Sequence, residues 1–194
     1  MTIVHRYRRE PETDDHRWTA AVIVTTCHVR PTNWTNESAV AAGLVTDVEV
    51  TTESSARHLS NVLRYRALHR HGGLWLDNDV IPLVDLTTST DPWVAAVGDG
   101  YEGCAMWFPE PGHPALVELT RRIAAAPASA SPPQRSGAEL LDRVARAHGI
   151  RQNRAVCPFG SNGQRNGSER PQAVHTWTSS RGAVLNPGQN GATT

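Results

Sequence analysis

The sequence contains no lysine: all 19 of its basic residues are arginine. A replacement this complete reads as the coding bias of a GC-rich, bacterial genome before it reads as chemistry. Net charge is absent too, with 19 acidic residues against those 19 arginines. No long-range field therefore draws the chain to nucleic acid or to an anionic membrane. Cysteine is scarce. Cys27, Cys104 and Cys157 are far apart and odd in number, with neither a C-x-x-C pair nor a Cys/His cluster at zinc spacing. That pattern predicts reduced thiols in a cytoplasmic protein. No apolar run approaches membrane-spanning length, so no transmembrane segment is expected, and "MTIVHRYRREPETDDHRW" is too charged for a secretory leader. Without such a leader the sequons at Asn33, Asn36 and Asn166 read as chance. No internal repeat is visible.

What is present describes one globular domain. The chain has 194 residues, 39% hydrophobic and 20% charged, long enough for one core and short for two. "TIVHRY" and the apolar run "TAAVIVTT" (19–26) predict short strands. "SSARHLSNVLRYRALHRHGG" has helical period, with Ser54 or Ser55 as cap, a stripe of Leu59, Val62, Leu63 and Leu68, and a stop at Gly72 or Gly73. "LWLDNDVIPLVDL" predicts a strand with a turn at Pro82. "PWVAAVG" (92–98) and "EGCAMWF" (102–108) predict two more strands. "HPALVELTRRIAAA" predicts an amphipathic helix with Pro114 in its first turn, followed by a loop, "PASASPPQRS". "GAELLDRVARAHG" predicts another helix and "QAVHTWTS" a closing strand. Residues 181–194 are rich in small and turn-forming types and predict a frayed tail after a domain of residues 1–180. Strands alternating with helices argue a single-domain α/β fold with a mostly parallel sheet flanked by helices.

The stretch "GGLWLDNDV" (72–80) carries the chemistry. In an extended segment residues two apart share a face, which would align Trp75, Asp77 and Asp79. A flat aromatic and two carboxylates suit a ligand with a flat group and a metal-bound anion. Hard carboxylate oxygens favour Mg²⁺ or Mn²⁺ over zinc. D-x-D also arises by chance, and Asp-Asn-Asp is ordinary turn composition. Here, however, the aspartates end an apolar strand. Ser60, Asn61 and Arg64 lie on neighbouring parts of the preceding helix, while Arg66 and Arg70 are expected to be solvated. Two like charges held close in an empty site repel. Truncating Asp77 or Asp79 is therefore expected to leave metal-free stability unchanged or slightly raised.

"LSNVLRYRALHRHGGLWLDNDVIPLVDL" resembles the core signature of DXD-containing glycosyltransferases of family 32 type. Relatives of that family include yeast mannosyltransferases, capsular polysaccharide transferases and the glucosyltransferase domains of clostridial toxins. The family pattern is S-D-x-x-R-Y-x-x-L, then G-G-x-Y-x-D-x-D-V, then a proline and a leucine. Weaker similarity extends to "IVHRY" as opening strand, "PGHPALVEL" as a later helix and "VHTWTSS" as the closing His-x-x-x-Ser segment. The resemblance implies a GT-A-like fold and retaining transfer from a nucleotide-sugar donor, a UDP- or GDP-sugar. The acceptor is unspecified: a glycan, a natural product or a protein. It implies that Asp77 and Asp79 hold Mn²⁺ or Mg²⁺ against the diphosphate. Arg64 would approach donor sugar or phosphate, and Ser60 and Asn61 the sugar and ribose hydroxyls. Trp75 would wall the donor pocket, His5 and Ser179 would border it, and His175 would contact metal or phosphate. No second carboxylate nucleophile is implied, although Asp99 and Glu102 lie in the next segment.

The chain departs from the family at three positions. Asn61 stands where an aspartate is usual, Arg8 where a base-stacking tryptophan is usual, and Arg181 follows Ser180 where tryptophan is usual. These departures keep a second reading open, a catalytically impaired nucleotide-sugar or glycan-binding protein of the same fold. A third reading, an unrelated metal-dependent phosphotransfer or hydrolase domain, applies if the motif match is coincidence.

Overall fold

The computed structural model describes residues 2–9, 12–52, 56–126, 132–156 and 170–175. In chain order the elements are β1 (Val4–Tyr7), α1 (Asp14–Cys27), β2 (Thr32–Trp34), α2 (Asn36–Ala41), α3 (Asp47–Thr52) and α4 (Ala56–His71). There follow β3 (Gly73–Leu76), β4 (Val80–Pro82), β5 (Trp93–Val97), β6 (Gly100–Phe108), α5 (Pro114–Ala125), α6 (Pro132–Arg135), α7 (Ala138–Ala147), β7 (Arg151–Asn153) and β8 (Ala173–His175).

The main sheet has six strands in the order β2-β1-β3-β6-β5-β7. Its β1–β2, β1–β3 and β5–β7 pairings are parallel, and β6 runs antiparallel to both of its neighbours. The sheet is thus mostly parallel and carries helices on both faces, as the alternation of strands and helices predicts. Period-two alternation divides the interior in two. Trp75, Met106 and Phe108 turn toward α4, α5 and α7, while Leu74, Leu76 and Trp107 turn toward Ile23 and Cys27 of α1. A second sheet joins β4 to β8 in antiparallel register, with Val80 opposite His175.

One expected strand is a helix. "TAAVIVTT" lies inside α1, which begins at a capping box where Thr13 and His16 satisfy each other's backbone N–H groups. Asp14 and Asp15 then sit at the positive end of the helix dipole. Thr19, Ile23 and Cys27 form its buried stripe at a spacing of four, and that packing outweighs the strand preference of the β-branched run.

The helix stop at the double glycine is as expected. Gly72 and Gly73 both have positive φ, and a Cβ on Gly73 would sit 2.3 Å from the Ile3 carbonyl oxygen. Only glycine lets α4 turn this sharply into β3. The segment read as one strand through Pro82 is two, because Val80 N–H closes a turn onto the Asp77 carbonyl at 3.0 Å. Pro132–Arg135, expected as loop, forms the short α6. The caps proposed at Ser54 or Ser55, and the residues of the closing segment beyond His175, lie outside the described residues. So do Cys157 and the tail 181–194. Among the described residues no helix is long and apolar enough to cross a membrane.

Candidate functional site at the carboxyl ends of the parallel strands

β1 and β3 run parallel, so Tyr7 and Leu76 end on the same side of the sheet. There the chain leaves β3 into the acidic turn Asp77-Asn78-Asp79. Antiparallel β6 enters from that same side, and Asp77 N–H donates to the Cys104 carbonyl at 2.8 Å. Ligands in open α/β sheets gather at this edge, outside the carboxyl ends of the strands.

The turn is threaded with positive charge. Arg64, projecting from α4, donates from Nη2 to Asp77 Oδ1 at 2.7 Å. Trp75 donates from Nε1 to that same oxygen at 2.8 Å, and the Arg64 guanidinium lies over the Trp75 ring, 5.5 Å from its centroid. Burial lowers the proton affinity of Arg64, but Asp77, together with Tyr65, Glu102 and Cys104, outweighs it and the net shift is upward. On the other side of the turn, His175 Nε2 stands 3.2 Å from Asp79 Oδ1. Burial lowers the His175 pKa, yet its hydrogen bonds to Asp79 and Cys104 prevail and push it up to about 10. His175 is therefore imidazolium at neutral pH.

The third cation is Arg6, only 1% exposed. Its Nη2 donates to the Asn78 carbonyl at 3.1 Å and its Nη1 to the His16 carbonyl at 3.3 Å. Asn78 Nδ2 answers by donating to the Tyr7 carbonyl at 2.7 Å. Burial draws the Arg6 pKa down to about 10, against Asp77 and Asp79, which hold it up. Sequence reasoning passed over Arg6. Arg6 lies in the fully buried strand Val4–Tyr7, where only a partnered charge survives burial.

The two aspartates do not share a face. The strand ends at Leu76, and the turn sends Asp77 toward α4 and Asp79 toward β8. Trp75 and Asp77 remain on one side, as expected, but Trp75 is fully buried. It serves as a floor for Arg64 and an anchor for Asp77. His5 is likewise 0% exposed. Its Nε2 donates to the Gly72 carbonyl at 2.9 Å and its Nδ1 accepts from Trp34 Nε1 at 3.2 Å. Both ring nitrogens of His5 are thus engaged inside the core.

Ser60 is half-buried and Asn61 is buried, and neither side chain makes a hydrogen bond among the described residues. Ser179 lies outside the described residues. Arg8 follows β1 and forms an ion pair with Glu12 at 3.6 Å. Arg66 is not a solvated side chain. It grips Glu49 through both terminal nitrogens, at 3.0 and 2.9 Å, and donates to the Leu44 carbonyl. Arg70 donates to the Ala42 carbonyl.

Glu102 joins the cluster and Asp99 does not. β6 changes register against β5 between the pairs Val94–Met106 and Ala95–Glu102. A bulge of this kind re-aims side chains beside a site. Burial raises the Glu102 pKa against the pull of Arg64, with Asp77 raising it further. Asp99 instead pairs with Arg154 at 2.9 Å.

The donor set fits a hard cation that brings most of its own shell. Asp77 Oδ1 takes both hydrogen bonds, so Oδ2 is without one among the described residues, and the side chain is 28% exposed. Among the described residues no three His, Cys, Asp or Glu groups cluster as metal ligands. A Mg²⁺ or Mn²⁺ ion here would rely on phosphate and water oxygens.

Fold and site together define a mixed α/β protein with a charge-paired polar cluster at the ligand edge of its sheet. Among solved structures the chain is similar to PaToxG Glycosyltransferase, with a TM-score of 0.63 at 10% sequence identity, over 76% of this chain and 68% of that one. It shares the fold of that glycosyltransferase. No family model and no curated protein sequence matches the chain.

Proposed function

We propose that the protein is a metal-dependent, retaining-type glycosyltransferase of the DXD class. On this reading it moves a sugar from a UDP- or GDP-sugar to a glycan, natural-product or protein acceptor. The observation that carries the proposal is the Arg64–Asp77 pair, built over Trp75 at the edge where α/β sheets bind ligands. The shared fold and the resemblance of residues 59–86 to the DXD signature support it.

In the transfer, the bond from the anomeric carbon to the diphosphate breaks and its electron pair stays on the diphosphate. The acceptor hydroxyl forms the new bond and passes its proton to the departing diphosphate. Asp77 and Asp79 would hold a Mn²⁺ or Mg²⁺ ion, which would supply Lewis-acid neutralisation of the leaving group. Arg64 adds a charge-assisted hydrogen bond through Nη1, which is unspent among the described residues. His175, beside Asp79, would contact the metal or a phosphate oxygen. The amide of Asn61 and the hydroxyl of Ser60, without hydrogen bonds among the described residues, would meet sugar or ribose hydroxyls.

One observation favours a second reading, a binding protein without turnover. Asp79 is already answered by His175, and Asn61 replaces the usual aspartate. Isothermal titration with UDP and GDP tests the shared part. Binding in Mn²⁺ should weaken about tenfold in EDTA, or about 1.4 kcal/mol, and equal affinity with and without metal would overturn metal dependence. Hydrolysis of a panel of nucleotide-sugars then separates transferase from binder.

A further inference from the structure

β6 carries a glycine at its third interior position, where glycine weakens a strand and needs a reason. Gly103 is not among the glycines with positive φ, so its backbone conformation is open to any residue and the reason is space. A Cβ added there would lie 2.0 Å from Arg64 Nη1 and 3.1 Å from Arg64 Cζ, with Leu141 Cδ2 next at 3.5 Å. The guanidinium occupies the room a side chain would take.

Arg64 has little freedom to yield. Its side chain is 6% exposed. Trp75 lies under its plane, Asp77 holds Nη2, and Nε is buried with no hydrogen-bond partner among the described residues. Any tilt that clears a methyl group at 103 lifts the fork off the ring or lengthens the bond to Asp77. The nitrogen against Gly103 is also the one that spends no hydrogen bond among the described residues. We propose that Gly103 is a positioning residue: its missing side chain sets the direction of Arg64 and keeps Nη1 clear to meet an oxygen of the bound nucleotide diphosphate. The second half rests on the transferase reading above, and the first half does not.

Two measurements on the full chain separate the halves. Melting temperatures without ligand are compared for wild type, Gly103→Ala, Arg64→Lys and the double variant. Lysine has no second terminal nitrogen to meet the methyl group. Gly103→Ala should lower the melting temperature by several degrees beside Arg64 and hardly at all beside Lys at position 64, because the coupling is between neighbours. Equal drops in both backgrounds overturn the placement. If Gly103→Ala alone does not fold, recovery of folding in the double variant supports the proposal and failure to recover overturns it. Titration with UDP and GDP in Mn²⁺ reads the second half. Gly103→Ala should bind about tenfold more weakly than wild type, and unchanged affinity in the folded variant overturns a role toward ligand. A wild type that binds neither nucleotide overturns the function proposed above, and the melting-temperature cycle still decides the placement.

Discussion

Arg64 Nη2 lies 2.7 Å from Asp77 Oδ1, and the guanidinium of that pair is almost wholly buried. The bond reverses an expectation read from the sequence, that the two carboxylates of an empty site repel. Each already faces a cation, Asp77 through Arg64 and Asp79 through His175, with Arg6 between them.

Asp77→Ala is therefore expected to destabilise the metal-free protein. It leaves a buried guanidinium and the Trp75 indole N–H without their acceptor, a loss of about 1–3 kcal/mol. Urea unfolding in EDTA measures it. Adding Arg64→Met should recover much of the loss, since the uncompensated charge goes with it. A variant as stable as wild type would mean that Asp77 is spare in the apo protein.

Arg6→Met should lower the melting temperature, because it strips the donors from the Asn78 and His16 carbonyls and the positive charge from beside both aspartates. It should also make the protein more responsive to metal. Mn²⁺ would supply the missing charge and stabilise the variant more than wild type by binding linkage. Equal Mn²⁺ stabilisation of the two proteins would count against this role.

Acid should unfold the protein partly through His5. Burial, opposed by its bond to Gly72 and reinforced by His71, draws its pKa from 6.5 to about 4. Between those values the unfolded chain holds a proton that the folded chain refuses. Stability is thus complete above the unfolded value, falls as pH drops through the window, and levels out below the folded value. The span is worth about 3 kcal/mol. His16, His71 and His113, all lowered by burial, act in the same direction. Urea unfolding at a series of pH values should give a shallower slope for His5→Gln, and an identical slope would exclude His5 as a source.

Asn61→Asp puts a carboxylate one turn from Arg64 on the same helix, in competition with Asp77 for the guanidinium. It is expected to weaken nucleotide binding in Mn²⁺ by about tenfold. Tighter binding would show that the aspartate usual in DXD glycosyltransferases is simply missing here.

Much of the architecture was legible where pattern and packing agree. α4 ends at the double glycine, α5 starts at Pro114, and β5, β6 and α7 fall on the segments expected to form them. α1 was misread because Val22, Ile23 and Val24 favour strands locally, although Thr19, Ile23 and Cys27 were already spaced as a helical stripe. β2 is three half-buried residues after a proline, too short to leave a pattern. Asp77 and Arg64 could be picked out of the sequence, but their bond could not. Arg6 and Gly103 were hidden for a common reason: each is explained by a partner many residues away, Asn78 for the one and Arg64 for the other.

The antiparallel course of β6 fixes the order in which the site can be completed. A ribosome emitting this chain releases Arg6, then Arg64, then the acidic turn, while β3 still presents an open edge lined by Leu74 and Leu76. Only when residues 100–108 emerge can that edge close, because no earlier strand occupies it. Asp77 gains its Cys104 anchor at the same moment, and Asp79 waits longer still, for His175 on the strand that pairs with β4. A nascent chain halted before β6 should accordingly be sticky and chemically silent, and one halted between β6 and β8 closed along that edge but short of one charge.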